Sequence, residues 1–115
     1  MMDTFYEYQI AARRTQKHDL PYRDKLDHAL YGLVSEVGEV LGCFQKVYQG
    51  HELDVEEVTK EMGDVMWFLS ELADCLGLKL ASIAFGNIEK LKDRYPAGFD
   101  ADRSVNRDEY ASKGS

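Results

Sequence analysis

The sequence predicts an all-α fold, a compact helical bundle around an antiparallel helix pair. Three observations predict it. Apolar residues recur with the 3.6-residue period of a helix through the long stretch between the only two prolines, Pro21 and Pro96. Helix-stopping and helix-opening residues, Gly50, Asp54 and Gly77, fall where that period breaks. The link from Gln49 to Asp54 is short, and brief helix-helix links join antiparallel neighbours.

Taken in order, a first helix over residues 4–15 carries Phe5, Tyr8, Gln9 and Ala12 on one side, and its shortness reads as an arm rather than a core element. Residues 18–21 form a connector, because the residue before a proline avoids the α region. A second helix over 24–48 has its main apolar stripe through Leu26, Leu30, Leu33, Val37, Leu41, Phe44 and Tyr48, and Gly50 stops it. Asp54 followed by Glu57 opens a third helix, striped by Val58, Met62, Val65, Leu69, Leu72, Ala73 and Leu76 and ended by Gly77. Trp67 and Phe68 lie outside that stripe, a spread expected of a helix packed on more than one side, so the bundle is expected to be completed by oligomerisation. A fourth helix spans 80–94 and ends at Tyr95-Pro96. The expected organisation is one helical domain over residues 1–99 and a polar tail over 100–115.

Size and charge narrow the function classes. A chain of 115 residues is one domain. Its net charge of −7 and the lack of a Lys/Arg-rich run exclude the basic footprint of a nucleic-acid binder. No apolar run has the length of a transmembrane helix and the start lacks a signal-peptide pattern, so no membrane partner and a cytoplasmic location are expected. Cys43 and Cys75 fall inside helical patterns as small reduced hydrophobes.

The chemistry is carried by a repeat. Glu36-Val37-Gly38-Glu39-Val40 returns as Glu61-Met62-Gly63-Asp64-Val65, an acid-apolar-Gly-acid-Val unit in two copies. Helical residues three apart sit about 60° from one another, so each copy aims two carboxylates at nearly one spot. The two copies lie at similar distances from the turn, which brings Glu36, Glu39, Glu61 and Asp64 to a similar height on antiparallel helices. Glu36 lines up with Val40, Cys43 and Val47, and Glu61 is flanked by Val65, Phe68 and Leu72, so each copy begins on the flank of an apolar face. Repulsion and desolvation there call for a cation. Gly38 and Gly63, each mid-helix at a cost of about 1 kcal/mol, point to close approach of backbone or ligand.

Other metal chemistries fail on the residues. None of His18, His28 and His51 follows an acid by three positions, as a ferritin-like di-iron site requires, and zinc-type His/Cys clusters and an EF-hand loop are missing. The three histidines read as surface or turn residues. Oxygen ligation by four acids points to Mg²⁺, with Mn²⁺ as the alternative. On the fourth helix Asn87, Lys90 and Arg94 form a polar stripe suited to phosphate, and Trp67 and Tyr95 are candidates for stacking on a base.

With these motifs the chain resembles the MazG-like all-α nucleoside triphosphate pyrophosphohydrolases, in their short single-domain branch. The family's ExxE…ExxD pattern corresponds to Glu36, Glu39, Glu61 and Asp64. The segment from Asn87 through Lys90-Leu91 and Arg94-Tyr95-Pro96 to Gly98-Phe99 resembles its last helix, and Tyr8-Gln9…Arg14-Thr15 and Phe99…Ser104…Asn106-Arg107 resemble its ends. The resemblance implies Mg²⁺-dependent cleavage of a (d)NTP into (d)NMP and pyrophosphate, with a house-cleaning role against abnormal nucleotides as one use. It also implies Glu36 or Glu39 as catalytic base, Lys90 and Arg94 on the departing phosphates, and a homodimer or dimer of dimers. A non-catalytic helical oligomerisation or metal-binding module is the alternative the acids leave open.

Overall fold

Four helices account for most of the computed structural model, which describes residues 4–98. They are α1 (Phe5–Arg13), α2 (Tyr22–Tyr48), α3 (Val55–Cys75) and α4 (Leu80–Arg94), with no strand among the described residues. The polar tail expected over 100–115, with Ser104, Asn106 and Arg107, and Phe99 before it lie outside the described residues. Two compact units divide the chain, one ending at Lys79 and holding α1 to α3, the other beginning at Leu80 and holding α4.

Local chemistry sets the helix ends. The Thr4 hydroxyl accepts from the Glu7 amide at 3.0 Å and the Asp54 carboxylate from the Glu57 amide at 3.1 Å, satisfying amides that α1 and α3 would otherwise leave orphaned. At the far end of α2, His51 N–H donates to Lys46 C=O and Gly50 N–H to Val47 C=O; α3 repeats the arrangement with Leu78 to Ala73 and Gly77 to Asp74. These are Schellman motifs, and they require a left-handed residue at the position that Gly50 (φ 104°) and Gly77 (φ 68°) occupy.

The side of α2 that packs on α3 is not the stripe of largest apolar residues. Ala29 and Cys43 are buried there, with Leu26, Leu33, Glu36 and Val40 half-buried on the same side. From α3 comes Val58, buried, with Glu61, Val65, Phe68 and Leu72 half-buried. Phe68 lies directly on Gly32, whose missing Cβ would overlap the ring. Of the stripe expected along α2, Leu26 and Leu33 do lie on this side, whereas Leu30, Val37, Leu41, Phe44 and Tyr48 face outward and are exposed, as is Val34. The reason is size. Helices approach closely through Ala, Gly and Cys, which leaves the bulkier stripe one residue round the helix facing away.

α1 is likewise more than an arm. Gln9, Ala12 and Gln16 are buried, and both amides converge on Asp74 of α3: Gln9 Nε2 donates to Oδ1 and Gln16 Nε2 to Oδ2, each at 2.9 Å. Arg13 adds a two-pronged contact at 2.8 and 3.3 Å. Partial burial alone would raise the Asp74 pKa, but the Arg13 guanidinium and the Gln16 and Gln9 amides outweigh it and hold the carboxyl below its ordinary 3.8.

Asp74→Ala should therefore cost about 2–4 kcal/mol of stability, because it removes the acceptor of the buried Gln16 amide, one of the two acceptors of the Gln9 amide and the partner of Arg13. A depressed carboxyl contributes stability that is present above its unfolded pKa and lost as pH falls through the folded one. Urea unfolding from pH 7 to pH 3 should show the wild type approaching the variant at the acid end; a constant gap would refute the assignment.

Candidate functional site

Glu36 on α2 and Glu61 and Asp64 on α3 each offer a carboxylate oxygen, and the three oxygens lie within 4.8 Å of one another. Glu36 and Glu61 sit on the packed faces of their helices, half-buried, whereas Asp64 is exposed. One Glu36 oxygen, Oε2, is buried with no hydrogen-bond partner. Burial, then the hydrogen bond to Glu61, then the charges of Asp64, Glu61 and Glu39, raise the Glu36 pKa above its ordinary 4.5. A buried acceptor without a donor, surrounded by like charges, has the character of a hard-cation site, since one oxygen-seeking ion relieves both penalties.

Glu39 is not among these three. It is exposed one turn along α2, close enough to act on Glu36, and it borders a cavity of about 270 Å³ with Cys43, Lys46 and Glu57. Lys46 and Glu57 pair across that cavity at 3.5 Å, near the turn between the helices. Gly38 and Gly63 are exposed, and among the described residues a Cβ at either would meet nothing within 4 Å, so no described backbone approaches them. The close approach is at Gly32 instead.

Asn87, Lys90 and Arg94 lie on α4, in the second unit, and Tyr95 follows directly after that helix. Trp67 is already engaged: its Nε1 donates to the Thr15 hydroxyl at 2.8 Å and its ring meets Phe68 edge-on with centroids 5.0 Å apart. Trp67 and Phe68, expected to find cover in another subunit, are half-buried within the chain.

Tyr8, His28 and Glu71 lie near this face, and the sequence reading assigns none of them a part in it. The Tyr8 phenol has its pKa raised by burial first and by the Asp64 charge second, which places α1 at the rim of the acids. Glu71 is buried, and the His28 ring donates to its Oε1 from Nδ1 at 2.7 Å. An acid at a buried heptad position was the one available signal, and Glu71 lies seven residues beyond Asp64.

Comparison with known proteins gives a family match. A family model described as the MazG nucleotide pyrophosphohydrolase domain matches residues 25–99, a stretch that runs from the first turn of α2 past the end of α4 and holds every acid of the repeat. Gene 37 protein of Mycobacterium phage L5 is 30% identical over 100 residues, covering 79% of this chain and 88% of that protein. No solved structure gives a significant match. Among the described residues, no helix is long and apolar enough to cross a membrane.

Glu36 generates a test free of turnover. A carboxyl with a raised folded-state pKa contributes stability present below its unfolded pKa and lost as pH rises through the folded one. Metal-free Glu36→Gln should accordingly melt higher than metal-free wild type at pH 7 and lose that advantage by pH 4. Mg²⁺ should raise the melting temperature of the wild type alone; an equal rise in both would remove Glu36 from the cation site.

Proposed function

Since the chain belongs to the MazG nucleotide pyrophosphohydrolase family, we propose that it cleaves a nucleoside triphosphate between the α and β phosphates, releasing a monophosphate and pyrophosphate. The observation that carries this reading is the three-carboxylate cluster around the orphaned Glu36 oxygen. Glu36, Glu61 and Asp64 are the residues we assign to Mg²⁺, with Mn²⁺ able to replace it. When bound, that ion supplies positive charge against the phosphates and acidifies a water. Glu36 is committed to the cluster, so Glu39, exposed at its rim, is the carboxylate we assign to orienting the attacking water and taking its proton. Glu39 can also complete the ligand set, one turn from Glu36.

We assign the departing phosphates to Asn87, Lys90 and Arg94 on the strength of their helical spacing, and Tyr95 to the nucleotide as well. Residues 1–99 are the unit to which the activity is assigned, and abnormal nucleotides are a substrate class the family reading admits. A cytoplasmic location accords with such substrates.

The uncovered stripe is assigned to a second copy of the chain. Leu30, Val34, Val37, Leu41, Phe44 and Tyr48 follow one another at intervals of four and three along α2, the spacing of a helix-helix seam, and Val34 is 73% and Tyr48 94% exposed. Met62, Met66, Leu69 and Leu76 are exposed on α3. Joining two such hairpins in a four-helix bundle covers both rows. A dimer, alone or paired into a tetramer, is the assembly this supports.

Two experiments check these assignments. Glu39→Gln should lower kcat for pyrophosphate release by about a hundredfold or more while keeping the Mg²⁺-induced rise in melting temperature, and Asp64→Asn should lose both. Full activity in either variant would overturn its role. By sedimentation, wild type at assay concentration should exceed the 13.1 kDa of one chain and Leu41→Glu should approach it; a wild-type monomer would end the bundle proposal.

A further inference from the structure

A buried carboxylate that the cation site does not use stands two turns away along the same helix pair. Glu71 is 2% exposed at its side chain, and its partner His28 is 51% exposed. Burying a carboxylate only to tie two helices together is a poor use of the position, since an apolar pair of similar volume holds as well or better. The bond does something an apolar pair cannot: it fixes a ring. A carboxylate only accepts, so Nδ1 carries the hydrogen given to Glu71 and Nε2 is the nitrogen left to meet a ligand. Phe68 lies against the same ring with centroids 5.5 Å apart, and Trp67 meets it edge-on at 6.3 Å and 84°. The imidazole is thus held on three sides and open on the fourth.

Its place along the helices matters as much. His28 precedes Glu36 by eight residues and Glu71 follows Asp64 by seven, so the pair lies about 10–12 Å along the helices from the acids, with Gly32 and Phe68 in the turn between. A nucleotide with its phosphates at the acids and its sugar and base extended along the pair would bring the base edge to His28. Trp67, the aromatic otherwise suited to stacking, already has its indole N–H on Thr15 and its ring packed.

We propose that His28, positioned by the buried carboxylate of Glu71, contacts the nucleobase edge and sets which base the site prefers. This rests on the acids being a nucleotide site. His28 is the contacting residue; Glu71 acts through it and is a positioning residue. A ring so fixed discriminates because a base that presents the wrong group leaves Nε2 and itself unpaired.

The test reads binding and turnover separately. Affinities for the α,β-imido analogues of dATP, dGTP, dCTP and dTTP are measured by calorimetry with Mg²⁺ for wild type, His28→Gln and Glu71→Gln. The wild type should show a preference, and His28→Gln should narrow or reorder it by about tenfold or more. Glu71→Gln, which keeps the imidazole and the side-chain shape, should shift the order the same way by less. A structural role would weaken all four analogues alike, and that result in both variants overturns the proposal, as does a wild type without preference or without binding. Pyrophosphate release by the wild type judges the hydrolase reading independently. A preference that depends on His28 without pyrophosphate release keeps the inference and removes the hydrolase; release with an unaltered order in the variants does the reverse.

Discussion

Like charges gathered on the packed side of a helix pair are the constraint around which this molecule is arranged. Three carboxylate oxygens within 4.8 Å repel one another, and they do so more strongly where helices exclude water. The α2–α3 pair must stay together despite its own site. Length helps: helices of 27 and 21 residues place the acids between stretches of ordinary packing. Toward the turn the pair is secured by Cys43, Val58 and the Lys46–Glu57 contact, and toward the other end by Gly32 under Phe68, Ala29, and α1 docked through Asp74.

Much of this was legible in the sequence, for identifiable physical reasons. Helix ends follow local rules, so Asp54, Gly50 and Gly77 could be assigned from their neighbours, and α4 ends where Tyr95-Pro96 requires. The acids stood out because one unit occurs twice at mirrored distances from a short turn. The inward face of α2 was read only in part, through Leu26, Leu33 and the line of Glu36, Val40 and Cys43, because periodicity weighs residues by hydrophobic size. Leu30, Val37, Leu41 and Phe44 outweigh Ala29, Gly32 and Cys43 on any such scale, although it is the small residues that let two helices meet. Polar ties were illegible for another reason. Gln9 and Asp74 are 65 residues apart and His28 and Glu71 are 43 apart, and a hydrogen bond between distant positions leaves no period to detect. The glycines divide the same way: Gly38 and Gly63 attracted attention through the repeat, while the contact that needs a glycine is at Gly32.

One helix thereby serves two faces. Glu36 looks toward α3 and its neighbour Val37, about 100° round the helix, looks outward with the exposed stripe. Whatever covers that stripe bears on the backbone that carries the acids. A rotation of α2 about its own axis that favours one face moves the other, so the exposed stripe and the acids share one rigid element.

The Gly32–Phe68 contact has a metrological meaning. A flat ring is seated on bare backbone here, and the contact lies one turn from Glu36 on one helix and one turn from Asp64 on the other. Helix separation beside the acids is thus gauged by an aromatic ring, an object without charge. Protonation and salt alter the forces between the carboxylates, whereas the gauge block next to them carries no charge for either to act on.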